Sequence, residues 1–321
     1  LSYENGSLLK EDNLINFFKN IYTVKKSAQE HEVVHAFDGW PHAFYGLCAV
    51  LGTSKRLFIN AVGTYSIAPL DGKLIKKILL TCAYRRATII FAISTFVAKE
   101  LKKRIKDIKV KVVHLGTTRI HFELNFNDNL LLTELSGRNP VVLTVGALKK
   151  RKGQLDTLKA VVSLKIKYPN IVYVALGDTS DVSYTNALRT YAKENDSENL
   201  LLIRGEVEEG ELAFWYHKAD LFALNSVNHD GHFEGFGLVI LEAAQYGVPA
   251  VGSGGCGIED AILDGKTGYL AKQSNVEDIA EKIDRLLSKK MNPIAIKEFA
   301  SSFDWDQTTK QYIEAYQLGR P

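Results

Sequence analysis

The sequence predicts an α/β protein of two domains, each a doubly wound, mostly parallel sheet with helices on its faces. Three observations carry this. Short β-rich apolar runs alternate with longer helical stretches, the rhythm of βα units rather than of hairpins. A length of 321 residues suits about two domains. The polar stretch 125–139, with its Asn/Asp cluster and Ser136-Gly137, interrupts the rhythm and reads as the connection between the halves.

In chain order, the predicted strands are 33–37, 57–62, 88–93 and 110–115, then 141–145, 171–176, 200–203, 221–224, 249–251 and 268–271. Each is short, apolar and rich in Val, Ile, Leu or Phe, as strands covered on both faces are. Helices fill the intervals, among them 154–168 and 275–290. The expected domains are residues 1–125 and 138–300, with a terminal helix at 303–321 joining the first. In that tail Asp304-Trp305-Asp306-Gln307 sets a carboxylate three residues before a Gln, a capping box that starts a helix through Tyr316. Asp304 and Asp306 also have the D-x-D form that can hold a divalent metal beside a diphosphate. At a helix start and far from other acidic ligands they read as a cap, and no metal or other cofactor is predicted.

Composition narrows the class. Hydrophobic residues make up 46% and charged residues 24%, the balance of a soluble globular chain that buries substantial cores without staples. Cys48, Cys82 and Cys256 are too scattered for a zinc site and too few for a disulfide framework, so a reducing compartment is expected. Apolar runs such as 87–93 fall well short of the ~20 residues of a membrane helix. The chain opens Leu1-Ser2-Tyr3-Glu4, without secretory character or an initiator Met, and a trimmed start is expected. Net charge is +3, yet residues 1–120 hold 14 Lys and 5 Arg against 4 Asp and 5 Glu, a balance of +10 that leaves −7 elsewhere. Such a field attracts an anionic membrane surface or a phosphate-bearing acceptor, or is a set of solvated helix faces.

The chemistry concentrates in 228–270. Glu234-Gly235-Phe236-Gly237-Leu238 leads into a helix whose residues Val239, Ile240, Leu241, Ala243 and Ala244 mark it as buried. Gly235 and Gly237 let backbone N–H groups approach a ligand where the helix begins, and a helix N-terminus is a ready anion site. Glu234 stands just before it. Glu242 lies about six residues in, ~9 Å along the axis, where an unpaired carboxylate would be costly and should face a partner or ligand. A phosphate at the tip and a ribose further back suit both groups.

With seven residues between Glu234 and Glu242, Gly-Phe-Gly among them, the sequence resembles the retaining glycosyltransferases of family 4. The resemblance implies the GT-B fold, two Rossmann-like doubly wound domains facing a cleft, here with a shortened N-terminal domain. It implies that Glu234 contacts donor-sugar hydroxyls, Glu242 the ribose, and the backbone at Phe236, Gly237 and Leu238 the distal phosphate. Gly146-Ala147, with Lys152-Gly153 after it, is similar to the family's first donor-domain loop. Lys152 matches the lysine that neutralises the leaving diphosphate. Ala147 stands where many members carry Arg, and Arg151 is the candidate substitute. Arg204 and Gly205 resemble the loop over which the base sits.

In the first half the resemblance thins. Residues 33–38 are similar to a strand ending near the acceptor cleft, which makes His35 a candidate catalytic residue and Asp38 an acceptor-side one, or both strand-end structural residues. Gly63 and Thr64 resemble the following acceptor-side loop, with Val62 where many relatives have His. The family's opening strand with its Gly-rich loop has no counterpart, and Gly6 alone does not replace it.

Gly252-Ser253-Gly254-Gly255-Cys256-Gly257 also spells the dinucleotide fingerprint G-x-G-x-x-G, so an NAD-dependent oxidoreductase is an alternative. The acidic residue expected after the next strand is missing, where Lys272-Gln273 stand instead. A degenerate nucleotide-binding GT-B protein without turnover is another. The favoured expectation is a retaining hexosyltransferase that takes a nucleotide-diphosphate sugar donor and a glycan or lipid-linked acceptor, and no nucleic acid. It is expected in the cytoplasm or peripheral on the inner face of a membrane.

Overall fold

The computed structural model describes residues 14–117, 133 and 135–318. Most of the connection expected at 125–139 therefore lies outside the described residues, as does Gly6. The chain divides into two compact units, residues 1–114 with 309–321, and residues 115–308.

The first unit runs α1 (Leu14–Ser27), β1 (Val33–Ala36), α2 (His42–Val50), β2 (Arg56–Ala61), α3 (Thr64–Asp71), α4 (Leu74–Arg86), β3 (Ile89–Ala92), α5 (Thr95–Arg104) and β4 (Val110–Val112). Its described sheet is parallel throughout, in the sequential order β1-β2-β3-β4. Phe58 of β2 and Phe91 of β3 are fully buried and stack with centroids 5.8 Å apart.

The second unit runs β5 (Val141–Val145), α6 (Gln154–Ser163), β6 (Val172–Leu176), α7 (Val182–Glu194), β7 (Leu201–Gly205), α8 (Glu209–Lys218), β8 (Leu221–Leu224), α9 (Leu238–Gln245), β9 (Ala250–Ser253), β10 (Gly268–Ala271), α10 (Val276–Ser288) and α11 (Pro293–Ser301). Helix α12 (Trp305–Gln317) follows and ends in the first unit. The parallel six-stranded order is β10-β9-β8-β5-β6-β7. The chain builds outward from β5 through β6 to β7, then reverses at β8 and builds the other way. That reversal opens a crevice beyond the carboxyl ends of β5 and β8, where doubly wound sheets bind ligands.

Every residue of β6 is buried, as a sheet covered on both faces requires. Helix α10 packs on α6 and buries Ile279, Ile283 and Leu286, spaced by four and three. Burial of such a side chain stabilises by about 1.5–3 kcal/mol. Its N-cap is Asn275, whose side chain accepts from the Asp278 N–H at 2.8 Å.

One helix is shorter than predicted. The α6 segment, expected to reach residue 168, ends at Ser163. Pro169 disfavours helical geometry at Tyr168. Lys165 turns aside, its ammonium donating to the Asn195 carbonyl at 2.6 Å and to Ser197 Oγ at 3.1 Å. The terminal helix begins as the cap predicts, with Asp304 Oδ1 accepting from the Asp306 N–H at 3.0 Å.

Candidate active site

The loop leaving β5 ends in a single 3-10 turn, Lys150–Lys152, closed by Gly153 in the left-handed region at φ 69°. A Cβ at Gly153 would lie 1.8 Å from the Asn225 carbonyl oxygen, so only glycine lets this turn press against the chain leaving β8. Two hydrogen bonds fix the contact and a third braces the loop itself. Val227 N–H donates to the Arg151 carbonyl at 2.8 Å, Asn225 Nδ2 to Thr157 Oγ1 at 2.9 Å, and Gln154 Nε2 to the Ala147 carbonyl at 3.0 Å.

That docking sets the charged groups around Glu234. Its Oε2 accepts from Lys152 Nζ at 2.6 Å and from Ser226 Oγ at 3.2 Å, with Arg151 Nη1 at 3.4 Å. The side chains of Glu234 and Lys152 are only 15% and 17% exposed. Two cations against one carboxylate leave the cluster a net positive charge, suited to an anion. Arg151, the candidate substitute for the arginine absent at Ala147, thus reaches this cluster.

Four residues beyond Glu234, Leu238 opens helix α9 behind Gly237 as N-cap. The first N–H groups of a helix have no intrahelical partner and carry the positive end of its dipole. Glu242 and Leu238 share one half-buried side of α9, while Ile240, Leu241, Ala243 and Ala244 face the core. Glu242 Oε2 accepts from Tyr216 Oη at 2.8 Å. Burial pushes the Glu242 carboxyl above its usual range, and the tyrosine bond opposes this. The partner that a buried Glu demands is therefore Tyr216.

The Gly-rich loop after β9 supports this site from beneath. A Cβ at Gly257 would lie 1.9 Å from the Gly235 carbonyl oxygen, and Gly257 N–H donates to the Glu234 carbonyl at 2.8 Å. Gln273 Nε2 holds the Gly254 carbonyl at 2.7 Å, and Asn228 Nδ2 holds that of Gly255 at 2.8 Å. After Gly257 comes a 3-10 turn, Gly257–Asp260, not the α-helix that the dinucleotide fingerprint requires. Gly257 answers to backbone packing against Gly235 and Phe236, and with no helix behind it the motif lends no support to an oxidoreductase.

Two expected positions differ. Arg204 and Gly205 end strand β7 rather than lying on a loop. Arg204 is bound to Glu211, with Nε and Nη2 each 3.0 Å from Oε1, an oxygen that also accepts from Trp215 Nε1 at 3.0 Å. Paired charges thus hold Arg204 to α8.

His35, a catalytic candidate or a strand-end structural residue, lies in the first unit. Its Nε2 bonds Asn60 Oδ1 at 2.8 Å and its Nδ1 bonds the Tyr316 hydroxyl. With both ring nitrogens engaged, His35 ties α12 to β1 and β2, and a base role would break one of those bonds. Asp38 Oδ1 accepts from Gly39 N–H at 2.6 Å and Ser66 Oγ at 2.8 Å, anchoring α3, which Gly63 and Thr64 begin. Burial raises the Asp38 carboxyl above its usual range.

Ser226, Tyr216, Gln154 and Asn225 were not singled out by the sequence. Asn225-Ser226 carried the one usable signal, a polar pair ending an apolar strand at the switch point. Among the described residues, no group of three or more His, Cys, Asp or Glu could hold a metal ion. None of the described helices is long and apolar enough to cross a membrane.

Comparison with known proteins bears on family and fold. Residues 133–302 match the family described as glycosyl transferases group 1. A D-inositol 3-phosphate glycosyltransferase of Corynebacterium urealyticum is 30% identical over 184 residues, covering 55% of this chain and 42% of that protein. The capsular polysaccharide biosynthesis glycosyltransferase CapM of Staphylococcus aureus is 26% identical over 259 residues, covering 74% and 64%. The chain thus spans less than two thirds of either relative. Anabaena HepE, solved in complex with UDP-glucose, superposes with a TM-score of 0.77 at 21% identity, covering 92% of this chain and 81% of that one, a likeness of fold.

Proposed function

The chain belongs to the glycosyl transferases of group 1, and from that premise we propose that it moves a hexosyl group from a nucleotide-diphosphate sugar to a glycan or lipid-linked acceptor, with retention at the anomeric carbon. One observation carries the proposal. Lys152, Arg151 and Glu234 converge at the switch point beside the N-terminus of α9.

In this reading the donor diphosphate lies against the α9 tip, and its two phosphates draw Lys152 and Arg151 from Glu234. The leaving group is thereby neutralised by preorganised cations and backbone N–H groups. These donors do the neutralising that a metal would otherwise do, so activity is expected to survive chelation. Glu234, released from its ion pair, turns to the hydroxyls of the donor sugar. Glu242, set by Tyr216, holds the ribose. Glu234 and Glu242 would then be the paired glutamates of the retaining family 4 pattern. The UDP-glucose of the Anabaena relative and the capsular role named for CapM support a nucleotide-sugar donor and a glycan acceptor.

A thermal-shift series with UDP, GDP, ADP and TDP beside their nucleosides tests this. One diphosphate should raise the melting temperature well above its nucleoside. Turnover with the matching sugar, read by NMR at the new anomeric centre, should give the donor's configuration. No diphosphate shift, or an inverted product, contradicts the reading.

A further inference from the structure

Helix α4 reverses its polarity along its length. Leu80, Ala83 and Tyr84 are buried and define its inner side. At about 100° per residue, Lys76 and Lys77 continue that inner side over the first two turns. Lys76 Nζ accordingly lies 5.8 Å from the centroid of the Trp40 ring. Leu74, Ile75 and Ile78 fall on the opposite side and are 70%, 72% and 49% exposed. An ordinary surface helix carries its aliphatic side chains inward and its lysines outward. Packing within the unit does not account for these three.

Their surroundings are cationic. From residue 72 to residue 98 the sequence has five Lys or Arg and no Asp or Glu. The acidic residues that flank this stretch, Asp71 and Glu100, both pair with Arg104. Arg85 is exposed and prolongs the outer side that Leu74 and Ile78 begin. A helix with exposed aliphatic groups on one side and only cations for charge matches a surface that is anionic outside and apolar just beneath.

We propose that the first two turns of α4 dock this unit on an anionic lipid bilayer. Leu74, Ile75 and Ile78 enter the boundary between headgroups and acyl chains, Arg85 on their side meets the lipid phosphates, and Lys73, Lys76 and Lys77 behind them add the positive field that draws the anionic surface. Every residue involved belongs to the first unit, so the inference stands whether or not the transfer reading holds.

Flotation with vesicles of equal parts phosphatidylcholine and phosphatidylglycerol tests it, against vesicles of phosphatidylcholine alone. The full chain should float with the anionic vesicles and not with the neutral ones, less so as salt rises. Replacing Lys73, Lys76 and Lys77 with Gln should weaken partitioning about fivefold per charge, which corresponds to about 1 kcal/mol each. Replacing Leu74, Ile75 and Ile78 with Gln should abolish flotation while keeping all cations, with melting temperature unchanged because the three are exposed. Flotation that the aliphatic variant retains, or equal binding to neutral vesicles, overturns the proposal. So does a lipid-free dimer in gel filtration that this variant converts to monomer, which would make a second copy the occupant.

Discussion

Lys152 Nζ lies 2.6 Å from Glu234 Oε2 across a gap of 82 residues in sequence. The pair ties the loop after β5 to the segment before α9 and holds a cation at the switch point of the sheet. A structural role and the proposed ligand-binding role thus meet in one contact, and they can be separated by substitution.

Glu234→Gln keeps the shape and the Ser226 contact but removes the charge facing Lys152 and Arg151. The free protein should lose about 1–3 kcal/mol, the worth of charge-assisted hydrogen bonds. Nucleoside-diphosphate affinity should hold or rise, since the cations are released, while sugar transfer falls. Denaturant unfolding, calorimetry and a transfer assay read the three effects. Lost nucleotide binding with transfer intact would contradict the assignment.

Glu242→Gln should separate binding from stability in the other direction. Burial raises the Glu242 carboxyl, so the fold favours its neutral form. That contribution is present below the ordinary value near 4.5 and is lost as pH rises through the raised one. At neutral pH the ionised group is a cost. Gln removes it and still accepts from Tyr216. The melting temperature should stay level or rise, while nucleotide affinity falls about tenfold or more with loss of the ribose contact. A destabilised variant with full affinity would make Glu242 purely structural.

His35 predicts an acid-side weakness in the first unit. Burial lowers its pKa below the usual 6.5, against the opposing bond to Asn60. The unfolded chain then takes up the proton first as pH falls. Stability from neutral His35 is present above 6.5 and is lost as pH falls through the lowered folded value. Unfolding free energy measured from neutral pH down to about 5 should decline more steeply in wild type than in His35→Gln. Parallel slopes would show that His35 does not govern this window.

Much of this was legible because it is local. Strands β5 and β8 have the predicted bounds, since a strand covered on both faces writes itself as an unbroken apolar run. Glu234, Gly237 and Glu242 sit on one loop and its helix, so spacing alone relates them. Ser226 and Tyr216 were hidden because their bonds depend on segments that the sheet order brings together. Arg204 was expected on a loop, and its Glu211 partner one helix away was not visible in the motif. Whether Leu74, Ile75 and Ile78 pack inward or turn outward was open in the sequence, because periodicity gives the sides of a helix without saying which one meets the core.

Calorimetric titration of wild type and Lys152→Ala tests most directly whether a diphosphate binds at Lys152. The matching nucleoside diphosphate should bind the variant about ten- to a hundredfold more weakly, the worth of one charge-assisted contact. The nucleoside alone should bind both proteins equally. Equal losses for the two ligands, or none for either, would contradict a phosphate role for Lys152 and with it the donor site described at the β5–β8 crevice.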